Sequence, residues 1–359
     1  MRGLPLLCLV AGCGGESRPP DVDAEPPARS CRELGPITLA GKVGRAGGVA
    51  LSNSGIESDP HVMRDGGLLK MWFTTANATP PHDLRSAYAE SDDGLTWRLV
   101  DDAAIQPTAG TFDGNGVETV SVARDGDKLV AYYTGDEPPD GSIRFAIGRA
   151  VSTDGIAWEK HATPVIAPAL AWEQPFCDDD ACTNRIGGPL EPSVIFDGST
   201  YRMWYAALGA LGEVPSFRVG YATSADGITW ERRADPVFTA GPAGTWDEVL
   251  VSHTNVVADP GGGYHLFYFG SSFADHARCD AAGGCLLTPG SIGHAFSEDG
   301  VSWTRDPANP MITPQGFGAW SVGGPSALIE DGVLKLWYFG TPASHSLDLR
   351  LGFASAPCT

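Results

Sequence analysis

Three carboxylic side chains recur at corresponding places in this 359-residue sequence: Asp59 in Asp59-Pro60-His61-Val62, Glu118 in Glu118-Thr119-Val120-Ser121 and Glu191 in Glu191-Pro192-Ser193-Val194. Two further segments of the same kind, His253-Thr254-Asn255-Val256 and Gly324-Pro325-Ser326-Ala327, continue the series with a histidine and a glycine. Carboxyls crowded together can hold different protonation states at one pH, because burial and like-charge repulsion raise at least one pKa. The protonated member then donates to a leaving oxygen while an ionised partner activates water, which is acid–base hydrolysis. On this reading Glu191 is the acid and Asp59 the base. The second and fifth segments carry one extra residue before the turn that follows, so Glu118 joins the set through a one-residue gap.

The elements that must bring these residues together repeat along the chain. Aromatic pairs inside apolar runs fall at Trp72-Phe73, Tyr132-Tyr133, Trp204-Tyr205, Phe267-Tyr268 and Trp337-Tyr338. Ahead of each lies a β-rich run closed by a turn, at Asp65-Gly66, Asp125-Gly126, Asp197-Gly198, Asp259 to Gly263 and Asp331-Gly332, where glycine supplies the backbone conformation of a tight hairpin. A third strand follows, typified by Val219 to Ser224. Four copies then continue alike, as in Ser91-Asp92-Asp93-Gly94-Leu95-Thr96-Trp97, with Asp154, Asp226 and Asp299 in the place of Asp93. An aspartate needed once per repeat is read as a turn residue rather than a catalytic acid, and each tryptophan as filler between neighbouring repeats. The sequence therefore predicts an all-β fold, a five-bladed β-propeller of four-stranded antiparallel blades. Its last copy lacks a fourth strand, which Ile37-Thr38-Leu39-Ala40 is expected to supply.

In a propeller the first strand of each blade lines the central channel, so the five segments converge. Over about residues 50 to 357 the pattern resembles the five-bladed glycoside hydrolases of the family 43, 32, 68, 62, 117 and 130 grouping, most closely family 43. The resemblance implies that Asp59 is the general base, that an acidic residue in blade two tunes pKa and that Glu191 is the general acid. Glu118 stands where an aspartate is usual, a departure from the pattern. Blades one and three face each other across the channel, which favours the carboxyl separation of roughly 6.5 to 9.5 Å of inverting enzymes. The resemblance also places His253 where a channel histidine accompanies bound calcium or its waters; a structural calcium is thus the one ion anticipated, and no cofactor is required. His253, Asp113, Asn115 and Arg185 are the expected substrate-binding residues. His61 is expected to turn into blade packing. The aromatics that open the blades (Phe112, Trp172, Trp246 and Trp320) are expected to pack, and Asp178-Asp179-Asp180 to form a solvated loop.

Composition narrows the partners. With 24 basic and 44 acidic residues the net charge is −20, and no basic cluster offers counterion release to a nucleic acid, so a neutral or cationic partner fits. The expected substrate is the end of a neutral oligosaccharide or polysaccharide. Residues 1–12, with Arg2 ahead of the apolar run Leu4 to Ala11, read as a signal peptide, and Val10-Ala11-Gly12-Cys13 resembles the cleavage box of bacterial lipoproteins, which would lipidate Cys13. Residues 13–35 read as an acidic, proline-rich tether and 36–359 as the propeller. The expected location is the bacterial cell envelope, with membrane attachment through lipid alone and a monomeric state. Six cysteines remain, which allow 15 connectivities; on the assumption that near neighbours pair, they give Cys177 with Cys182, Cys279 with Cys285 and, last, Cys31 with Cys358, as an oxidising compartment allows. Two rival functions are a non-catalytic glycan-binding surface propeller and a glycoside phosphorylase.

Overall fold

The computed structural model describes residues 30–359 except 48, 78–82, 138–142, 178–181, 183 and 212–213. The expected signal peptide, the lipidation residue Cys13 and the Asp178-Asp179-Asp180 run lie outside the described residues. Strand β1 (Thr38–Lys42) precedes a meander of β2 (Ser58–Asp65), β3 (Leu68–Thr75), β4 (Arg85–Ser91) and β5 (Arg98–Ile105). The next meander is β6 (Gly116–Asp125), β7 (Lys128–Asp136), β8 (Ile143–Ser152) and β9 (Glu159–Lys160). After β10 (Phe176–Cys177) come β11 (Arg185–Phe196), β12 (Tyr201–Leu211), β13 (Val214–Ser224) and β14 (Glu231–Arg232). They are followed by β15 (Leu250–Ala258), β16 (Tyr264–Ser271), β17 (Ser291–Ser297) and β18 (Thr304–Arg305), then β19 (Ser321–Glu330), β20 (Val333–Thr341) and β21 (Arg350–Pro357).

Each meander is antiparallel throughout. A short parallel contact of Ile186 and Gly187 with Ile143 and Arg144 joins the second and third into one nine-stranded sheet. The early strand β1 pairs with β21, Thr38 opposite Ser355, and so adds a fourth strand to the last sheet. Cys31–Cys358 fastens the same junction, and Cys177–Cys182 and Cys279–Cys285 close short loops. Residues 30–35, assigned above to the tether, are instead docked: the Cys31 amide donates to Asp259 and Gly35 N–H to the Pro357 carbonyl. A short helix, α1 (Phe273–Ala281), interrupts the β pattern after β16; the Ser272 hydroxyl accepts from Asp275 N–H, and the Asp275 carboxylate accepts from Ser272 N–H.

The first strands β2, β6, β11, β15 and β19 touch one another in a closed cycle. Side chains on them cap the neighbouring strand: Ser121 accepts from Val194 N–H, Ser193 from Val256 N–H, Asn255 from Ala327 N–H and Ser326 from Val62 N–H, at 2.8–3.0 Å. His61 closes the belt, its Nε2 3.0 Å from the Val122 carbonyl. The apolar core lies in clusters between adjacent sheets, one of them uniting Met71 and Trp97 of the first with Trp337 of the last. The turn motif serves this packing. The Asp93 carboxylate accepts from Leu95 and Thr96 N–H, and the Gly94 carbonyl accepts from Trp337 Nε1 at 2.7 Å. Gly155, Gly227 and Gly300 accept likewise from Trp72, Tyr132 and Trp204. Trp97, Trp158, Trp230 and Trp303 stand edge-on to those same aromatics, which is the filling role read from the repeat.

Candidate active site

Every first strand breaks register once, and at each break one residue adopts left-handed backbone: Asp59 (φ 48°), Thr119 (47°), Glu191 (53°), His253 (45°) and Gly324 (55°). A non-glycine residue held there costs about 1–3 kcal/mol, and such strain gathers at functional sites. The bulge re-aims the side chain. Proline follows in three of the five, at Pro60, Pro192 and Pro325, where the ladder needs no N–H donor. These residues line one hollow, together with His61, Ser121 and Asn255.

Three of the aimed side chains meet. His253 Nε2 lies 3.3 Å from Asp59 Oδ1 and its Nδ1 3.3 Å from Glu191 Oε1, so one imidazole faces both carboxyls. The His253 amide donates to Glu191 Oε2, and the Ser58 hydroxyl donates to Asp59 Oδ2 at 2.8 Å. Burial alone would lower the His253 pKa; the Glu191 charge, the Asp59 hydrogen bond and charge, and the Glu118 charge outweigh it and lift it to about 9. His253 is therefore an imidazolium at neutral pH. Burial raises the Glu191 carboxyl, the His253 charge and amide partly oppose this, and Asp59 adds to it. Burial pushes the His61 imidazole down to about 4, so it is neutral and donates from Nε2 to Val122.

Two acidic side chains complete the surroundings. Glu118 sits one residue before the aimed position, which Thr119 occupies, so the one-residue gap assumed in the sequence misplaced it. A matching serine two residues on, Ser121 against Ser193 and Ser326, carries the correct register. Glu118 still feels the site. Burial raises its pKa well above the ordinary value, and Asp136, Asp59 and Glu191 add to this. Asp136, which the sequence reading missed, ends β7 opposite Gly116, and burial lifts its carboxyl to about 6. Its only sequence signal was an acidic end to an otherwise apolar strand.

The remaining expected ligands lie elsewhere. Asp113 is fully buried and accepts from Tyr133 OH at 2.9 Å while pairing with Lys160, so its oxygens are committed to the fold. Glu173 with Tyr205 and Arg232, and Asp247 with Tyr268 and Arg305, repeat that arrangement, which marks it as architecture. Asn115 is exposed at the loop before β6, and its amide donates to the Asp136 carbonyl. Arg185 starts β11, six residues or roughly 20 Å of strand from Glu191, and neither residue borders the hollow. Among the described residues no group of three His, Cys, Asp or Glu side chains is placed to hold a metal ion.

The fold is shared with known carbohydrate enzymes. A solved structure described as a glycoside hydrolase superposes with a TM-score of 0.69 at 21% identity, over 90% of this chain and 92% of that one. A thermostable family-43 glycoside hydrolase gives 0.63 at 16% identity, over 83% and 88%. The uncharacterized protein Rv1502 of Mycobacterium tuberculosis is 32% identical over 210 residues, 56% of this chain but only 58% of that protein's length. The family model for the glycosyl hydrolases family 32 N-terminal domain matches residues 59–252, more than half of the chain, from the aimed aspartate of the first strand to the residue before His253. By that match the chain belongs to the glycosyl hydrolases family 32 N-terminal domain family.

Proposed function

We propose that the chain is a five-bladed propeller that hydrolyses a glycosidic bond with inversion, Glu191 acting as general acid and Asp59 as general base. The observation that carries the reading is the pair of left-handed bulges that aim Asp59 and Glu191 into one hollow, with His253 between them. The cyclic contacts of the first strands and the belt of hydrogen bonds that returns to its start support the closed ring. Glu191 meets the requirement for an acid, since burial favours its protonated form. Two 3.3 Å contacts and the width of one imidazole limit the separation of the facing oxygens to roughly 9 Å, below the upper end of the inverting window of roughly 6.5–9.5 Å. The His253 charge steadies Asp59 until a sugar enters, and the Asp59 charge adds to the burial that favours the proton on Glu191.

The substrate is a saccharide without negative charge, in keeping with the net charge of −20 and the acidic surroundings of the hollow. The disulfides support an extracytoplasmic location, and the bacterial cell envelope is the one we propose. A panel of aryl glycosides and polysaccharides, incubated with wild type and Glu191→Gln, tests the reading. Turnover by wild type that the variant loses supports it. Binding of glycans with no turnover by wild type would leave the surface-binding role instead.

A further inference from the structure

A pair of carboxyls stands beside the hollow, with no basic partner among the described residues. Gly116 lies opposite Asp136 and Glu118 opposite Thr134 in the β6–β7 ladder, so Glu118 and Asp136 are diagonal neighbours on one face. That face looks toward Glu191, because the Thr134 hydroxyl on it accepts from Glu191 N–H at 2.8 Å. The absence of a side chain at Gly116 makes room for Asp136, whose Oδ2 would lie 3.3 Å from a Cβ placed there. Asp136 is only 8% exposed and its Oδ1 has no hydrogen-bond partner. Among the described residues no lysine or arginine pairs with either carboxyl, although the buried acids Asp113, Glu173 and Asp247 each have one. His253, the cation at the site among the described residues, is engaged by Asp59 and Glu191.

We infer that Glu118 and Asp136 seat a cationic group of the substrate, so that the saccharide held in the hollow is an amino sugar with a free amine. The inference rests on the hydrolase reading above and names its substrate class. An ammonium suits two carboxyls better than a metal ion does, since a single organic cation needs few donors and no third ligand converges here. It also relieves a cost that the free protein carries, two like groups held out of water side by side. The amine is recognised only while Asp136 is ionised. With that carboxyl lifted to about 6 by burial, preference for the amine grows as the pH rises through that value. The other titratable groups facing the pair are Asp59, Glu191 and His253.

The test compares aryl glycosides of glucosamine and galactosamine with their N-acetylated and hydroxyl counterparts, using wild type and Asp136→Asn. Wild type should favour the free amine by about tenfold or more in kcat/KM. Asp136→Asn should lose that preference and its dependence on pH near 6, read as the ratio of kcat/KM for amine and hydroxyl glycosides within the one variant. Turnover that favours neutral sugars, with ratios unchanged by Asp136→Asn, overturns the inference and leaves the hydrolase reading intact. If no glycoside is turned over, the hydrolase reading fails. Calorimetric binding of free glucosamine and galactosamine against glucose and galactose then decides the inference: binding selective for the amine and lost in Asp136→Asn upholds it, and equal or absent binding overturns it.

Discussion

Replacing His253 by glutamine should remove a stabilising charge whose size follows from its surroundings. The folded protein lifts this imidazole from 6.5 to about 9, which corresponds to about 3 kcal/mol favouring the charged form. The side chain is 26% exposed, so that figure is an upper value. A folded pKa above the unfolded one stabilises fully below about pH 6.5 and ceases to do so as the pH climbs past about 9. Thermal unfolding of both proteins from pH 6 to 10 reads the effect. In a chain this long 3 kcal/mol moves the midpoint by about 4 °C. Wild type should therefore lead His253→Gln by about 4 °C at pH 6, and the two curves should merge near pH 10. A gap that stays constant with pH, or one that widens in alkali, would refute the bridging role of the imidazolium.

Other consequences are open to simple measurement. Ser193→Ala leaves the buried Val256 N–H without an acceptor and should cost about 1–3 kcal/mol in urea unfolding, with no change in the substrate profile. Cys31→Ser frees a loop of 327 residues and should destabilise by up to about 5 kcal/mol, seen as a lower urea midpoint than wild type under non-reducing conditions. Asp226→Ala removes the acceptor for Ile228 and Thr229 N–H and should lower stability by about 1 kcal/mol while kcat/KM stays unchanged; a collapse of activity in a folded variant would show that the turn aspartates do chemistry.

Much of the architecture was legible because each repeat must solve the same physical problem. Gly94, Gly155, Gly227 and Gly300 all have positive φ, and their carbonyls are the acceptors that tie sheet to sheet, so a turn motif in sequence became an interface in space. Asp59 and Glu191 were readable for a related reason, since the proline after each marks the bulge that aims it. Thr119 lacks that proline, and so the register of β6 slipped by one and Glu118 was given its place. Asp113 misled in another way. An acid next to an aromatic before a strand looks available for a ligand, but its tyrosine and lysine partners come from strands that only the fold brings near. Asp136 could not be found from composition at all, because its meaning depends on the vacant face of Gly116 across the ladder.

The dependence of Glu191→Gln on leaving-group basicity tests the central claim most directly. A general acid contributes typically 10²–10⁴-fold where the departing oxygen needs a proton. The variant should lose roughly that factor in kcat/KM on glycosides with basic leaving groups, yet hydrolyse a dinitrophenyl glycoside at nearly the wild-type rate. An equal loss across all leaving groups, or none at all, would contradict the assignment of Glu191 as the proton donor.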